Sequence, residues 1–124
     1  MRLSAILGRA AAAAFFVTAA LHTSAYRTIN ALAKTGPVDL RPVVPMVWLG
    51  FSLMLVILGL IIWANASAPV SRSRMLTLVL AGVFAFGSAI LQMTFFGFIP
   101  PVAILCVDGA LAIAVGLIGT PAST

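Results

Sequence analysis

Four long stretches of this chain are apolar with few interruptions, and its polar residues gather between them. They run approximately over residues 3–26, 44–64, 75–99 and 101–119. Each is close to the ~20 residues that a helix needs to cross a bilayer. In lipid a spanning segment has to satisfy its own backbone N–H and C=O groups, so apolar stretches of this length predict helices. The pattern predicts an all-α fold: an integral membrane four-helix bundle, antiparallel and up-down with short loops, in one domain over residues 1–124.

The separators carry their own signals. Residues 27–41 are expected to form the first loop, with Lys34, Gly36, Pro37 and Asp39. Residues 65–74 form the second, where Pro69 and three serines act as a stop and Arg72 and Arg74 mark a wet boundary. The third turn, Gly97 to Pro101, is very short; Pro100 and Pro101 disfavour a continuous helix and suit the start of a new one. Stretches three and four are therefore expected to be antiparallel neighbours. The first stretch also fits a cleavable signal, since Arg2 and Arg9 precede apolar residues 10–21 and then small Thr23, Ser24 and Ala25. On that reading three spans remain.

Composition agrees with a membrane protein: 63% of the 124 residues are hydrophobic and 7% are charged, more apolar surface than a soluble domain of this size can bury. The net charge of +5 does not point to nucleic acid, because the seven basic residues are scattered singly near the ends of apolar stretches. Arg2, Arg9, Arg72 and Arg74 fall on one face, against Arg27, Lys34 and Arg41 on the other. Four against three places both termini in the cytoplasm, in a bacterial inner membrane or its equivalent. Trp48 and Trp63 are spaced by roughly 22 Å of helix, about the distance between opposite interfacial belts.

Asp108 is the only acidic residue inside any of the four stretches. A charged side chain at the bilayer centre costs roughly 2.5–3.5 kcal/mol on insertion scales, so it is expected to face protein, water or a ligand. Counted inward from the face of the first and third connections, Trp48 lies ~5 Å deep, His22 and Gln92 ~8 Å, and Asp108 ~11 Å. All four fall in one leaflet, which suggests a shallow polar cavity on that side. Helical spacing lets them point inward together: Thr18, His22 and Tyr26 recur every fourth residue, as do Trp48 with Ser52, Ser88 with Gln92, and Asp108 with Ala112. The expected acid-base pair is Asp108 and His22, with Tyr26, Arg27, Trp48, Gln92, Ser88 and Thr18 binding a ligand. Each also has a plainer role. Asp108 would fix helix register, Trp48 and the Tyr26–Arg27 pair would anchor at the interface, and Gln92 with Ser88 would bond helix to helix.

The inventory excludes several chemistries. One His, one Cys and two acids on separate stretches fall short of a zinc or di-iron set, and no phosphate loop, CxxC or nucleophile elbow is present. No metal or cofactor is expected. In length and span count the chain resembles small four-helix membrane families such as the small multidrug transporters and DoxX-like proteins; the likeness is one of topology, and the first stretch lacks a multidrug-transporter glutamate. Three functions stay open. The favoured one is a polar intramembrane pocket around Asp108 and His22 that binds, or acts by acid-base chemistry on, a hydrophobic or lipid-like small molecule. The others are an accessory subunit of a larger membrane complex and a proton-coupled small transporter working as a homodimer. Whether the protein is an enzyme is left open by the sequence.

Overall fold

The computed structural model describes residues 2–97 and 100–118. Its elements are α1 (Arg2–Ser24), α2 (Tyr26–Thr35), a 3-10 turn (Val38–Leu40), α3 (Val43–Ala66), α4 (Arg72–Phe96) and α5 (Pro100–Leu117), with no strand among the described residues. Four runs are long and apolar enough to cross a membrane: Leu3–Thr35, Val38–Ala66, Arg72–Thr94 and Pro100–Leu117. Length and composition thus point to an integral membrane protein with four helical spans.

The helix limits follow local chemistry. Ser71 caps α4 by accepting the Arg74 N–H at 3.1 Å, so this helix begins at Arg72, three residues ahead of the apolar stretch. It ends where Gly97 takes a φ of 73°, a left-handed conformation that only glycine adopts without penalty. Pro100 then opens α5. The expected end of that stretch at residue 119 lies outside the described residues.

One connection differs from its expectation. Residues 27–41 are mostly helical rather than a loop, because Tyr26 to Thr35 contains no glycine or proline and sets Ile29 and Ala33 on the face turned inward, with α2 packed on α3. Gly36 and Pro37 stop it, the residue before a proline being driven out of helical geometry. At Ala25 the chain breaks between α1 and α2. Just before it, the Thr23 hydroxyl donates to the Ala19 carbonyl and the Ser24 hydroxyl to that of Leu21, back-bonding of a kind that bends helices.

Buried positions repeat at intervals of three and four along every long helix. They are Gly8, Ala11, Ala12, Phe15, Thr18 and Ala19 on α1, and Ser52, Leu55, Leu58, Gly59, Ile62 and Ala66 on α3, where Pro45 is also buried in the first turn. On α4 they are Arg74, Leu78, Ala81, Gly82, Ala85 and Ala89, and on α5 Val102, Leu105, Asp108, Gly109, Ala112, Val115 and Gly116. This is the seam of coiled-coil-like packing, and its small residues let backbones approach closely. Helix α4 packs mainly on α5 and α1 mainly on α3, and the two pairs join chiefly through α1 and α5, with a sparser contact between α3 and α4. Outward-facing residues such as Leu53, Leu60, Leu80, Val83, Ile90, Leu91 and Val107 are apolar and exposed, as a lipid-facing surface requires. Because α1 supplies the fully buried Ala11, Ala12 and Phe15, it is a structural member of the bundle.

The tightest contact joins α4 to α5. A Cβ on Gly82 would lie 2.6 Å from the Gly109 carbonyl oxygen, and one on Gly109 would lie 2.8 Å from that of Gly82. Gly82→Val is therefore expected to destabilise the protein by about 1–3 kcal/mol through overpacking. Gly87→Ala, with nothing within 4 Å, should hold or gain up to ~1 kcal/mol from helix propensity. Thermal unfolding in detergent, followed by tryptophan fluorescence, checks this; equal midpoints for the two variants would refute the close approach.

Candidate functional site

The break at Ala25 shapes the site. There the Ala25 N–H reaches the His22 carbonyl at a long 3.3 Å, and the Trp48 indole Nε1 on α3 adds a shorter bond to the same oxygen at 2.7 Å. That bond draws the two rings together: His22 and Trp48 stack with centroids 3.8 Å apart and planes 13° from parallel. Phe51 closes the other side, its ring tilted by 51° with its centroid 4.9 Å from that of His22. The imidazole Nδ1 lies 2.9 Å from the Ser52 hydroxyl, and which of the two donates depends on the tautomer. His22 is thus held by an indole, a phenyl ring and a hydroxyl. Its Nε2 has no hydrogen-bond partner among the described residues.

Asp108 is reached by a different route. It is 1% exposed, and the Thr18 hydroxyl donates to its Oδ2 at 2.6 Å. That hydroxyl also lies 3.0 Å from the Ala14 carbonyl, one turn earlier. A threonine carries one hydroxyl proton, so two arrangements exist. An ionised Asp108 accepts from Thr18; a neutral Asp108 donates to Thr18, which then donates to Ala14. Either way the bond fastens α1 to α5 in the interior. Asp108 and His22 are not hydrogen-bonded to one another: Thr18, one turn before His22 on α1, stands between them.

A cavity of about 280 Å³ opens above this floor, lined by Thr18, Leu21, His22, Ala25, Trp48, Phe51, Gln92, Pro100, Pro101, Ile104 and Leu105. The bundle brings together Thr18, His22, Trp48 and Gln92 from the expected set. Asp108 sits behind Thr18 rather than on the wall, and Tyr26, Arg27 and Ser88 do not line it. Tyr26 is half-buried on α2, Arg27 is exposed on the same helix, and Ser88 is half-buried on α4. Gln92 lines the cavity with no hydrogen bond to any described residue. Sequence reasoning put Ser52 on the Trp48 stripe without assigning it a role, although it is the group that fixes the imidazole. Phe51, Ile104 and the two prolines carry no polar signal that could single them out. Among the described residues no three His, Cys, Asp or Glu side chains gather as a metal ion would need.

Thr18→Val removes the only hydrogen-bond partner of the Asp108 carboxyl among the described residues while keeping shape. We expect a loss of about 1–3 kcal/mol. Thr18→Ser should recover most of it, and the double variant Thr18→Val with Asp108→Leu should lose less than the sum of the single changes. Detergent unfolding midpoints check this; additive losses would mean the bond contributes nothing. No family model, curated protein or solved structure matches this chain, so the reading of its function rests on the cavity and the side chains around it.

Proposed function

We propose that this protein binds a neutral, lipid-soluble small molecule with one polar end, in the cavity beside His22. The observation that carries the reading is a pair of unspent hydrogen-bonding groups, His22 Nε2 and the Gln92 carboxamide, in an otherwise apolar pocket. Unsatisfied polar groups against apolar walls favour a ligand that supplies the missing partners. Among the described residues no Lys, Arg, Asp or Glu lines the cavity, so a charged ligand would lose its hydration without a counter-charge. A carbonyl or hydroxyl meets both groups, since the carboxamide donates and accepts. At about 280 Å³ the cavity is at the small end for ligand sites, typically ~300–1,000 Å³, so the polar head fits inside and a longer tail lies in the bilayer.

The reading includes a four-span, up-down antiparallel arrangement with both termini on the cytoplasmic side. The antiparallel arrangement is supported by Gly8 at the start of α1 standing against Ala66 at the end of α3, and by Gly116 near the end of α5 standing against Met75 and Leu78 near the start of α4. His22 is the side chain equipped to exchange a proton with a bound head group. Asp108, behind Thr18, would act on that ligand only through the threonine hydroxyl.

Native mass spectrometry of protein gently extracted from its own membrane tests the proposal. Wild type is expected to retain a specific small molecule, with retention about tenfold weaker or absent in Gln92→Leu and in Ile104→Trp, which fills the cavity from its wall. Retention unchanged in Ile104→Trp would sink the reading. A fixed protein partner with no retained molecule would make this an accessory subunit instead, and proton-coupled flux abolished by Asp108→Asn would make it a transporter.

A further inference from the structure

With seven basic residues and two acidic ones, most cations of this chain have no protein carboxylate to pair with. One of them is buried. Arg74, in the first turn of α4, is 3% exposed. Its Nε donates to the Asn65 carbonyl at 2.9 Å, while a terminal guanidinium nitrogen is buried with no hydrogen-bond partner among the described residues. Neither acid serves it: Asp39 precedes the far end of α3, a 24-residue helix ~36 Å long, and Asp108 is bonded to Thr18. Buried charges are ordinarily paired, because leaving one uncompensated is strongly unfavourable. The capped N-terminus of α4 adds its own positive dipole end at the same place.

The surroundings supply room and further donors. A second cavity, about 380 Å³, lies between the start of α1 and the α3–α4 connection, lined by Ser4, Ala5 and residues 66–70. It shares no lining residue with the cavity at His22. Ala66 and Ser67 on its wall directly follow the Asn65 whose carbonyl Arg74 holds. The Arg9 guanidinium donates to the Ser67 hydroxyl at 3.1 Å, so a second cation stands at the rim.

We propose that this end of the bundle binds a phosphate group with net negative charge, Arg74 supplying the buried counter-charge and Arg9 with Ser67 the rim. Neither arginine lines the cavity itself, so a tetrahedral anion there would accept from the rim at Ser67 and Arg9 and offset the Arg74 charge behind the wall. The phosphate belongs either to an anionic lipid headgroup or to a free phosphate.

Two measurements separate these sources. In nanodiscs of equal parts phosphatidylglycerol and phosphatidylcholine, native mass spectrometry is expected to find phosphatidylglycerol selectively retained. The selectivity should fall about tenfold in Arg74→Gln and measurably in Arg9→Gln. In lipid-free detergent, inorganic phosphate that raises the unfolding midpoint of wild type but not of Arg74→Gln assigns a free phosphate. Lipid selectivity without that shift assigns a headgroup. Equal retention of both lipids with no effect of phosphate overturns the proposal, as does selectivity that survives both substitutions. Arg9 is exposed, so Arg9→Gln spares the core and decides the matter if Arg74→Gln does not fold.

Discussion

The approach of α4 to α5 through Gly82 and Gly109 sets the position of nearly everything else in the bundle. Between helices in lipid no hydrophobic driving force remains, since the surrounding chains are as apolar as the side chains. Association then rests on dispersion contacts and interhelical hydrogen bonds, and both need the backbones close together. The two glycines provide that closeness at the level of Asp108, which puts the carboxyl deep in the interior and within reach of Thr18. The Thr18 bond in turn ties the α4–α5 pair to α1, and α1 is already packed along α3. A stripe of small residues and one buried hydrogen bond thus join two helix pairs into one body.

Much of this was legible in the sequence and some was not, for physical reasons. The long apolar stretches are unambiguous because lipid leaves a spanning chain few options but a helix. Their edges were less clear, since helix ends depend on caps such as Ser71 that hydropathy ignores. The 27–41 segment was read as a loop from its polarity, yet polarity does not forbid a helix that lies along a neighbour with one apolar edge at Ile29 and Ala33. The depths of Trp48, His22 and Gln92, and the helical phase that Thr18 shares with His22, could be counted from residue numbers, because in a straight helix depth and phase are both linear in position. Which of these residues touch could not be counted. That depends on how the helices are rotated against one another, and this rotation puts Thr18 between Asp108 and His22. Arg74 was taken for a boundary marker; its burial follows from the inward phase it shares with Leu78, Ala81 and Ala85, a pattern in which its charge drew attention away from its register.

The two ends of the bundle divide the chemistry between them. At one, aromatic rings and prolines line a pocket of neutral groups, with Arg27, Lys34 and Arg41 outside it; at the other, Arg9 and Arg74 stand with no carboxylate beside them among the described residues. The pocket that holds neutral groups and the buried guanidinium of Arg74 thus share no wall.

The sparse contact between α3 and α4 has a consequence for how a guest would arrive. Trp48 and Phe51 stand on one side of that seam and Gln92 on the other, so few helix contacts close the pocket along it. A molecule of the proposed kind would come sideways out of the bilayer without passing through water. Its occupancy would then follow its concentration in the membrane rather than in the cytosol, and each added methylene, worth ~0.8 kcal/mol of partitioning, would raise that concentration roughly fourfold without a single new contact to the protein. Selection by such a site would be shared between the polar head, which the protein reads, and the tail, which the membrane reads on its behalf.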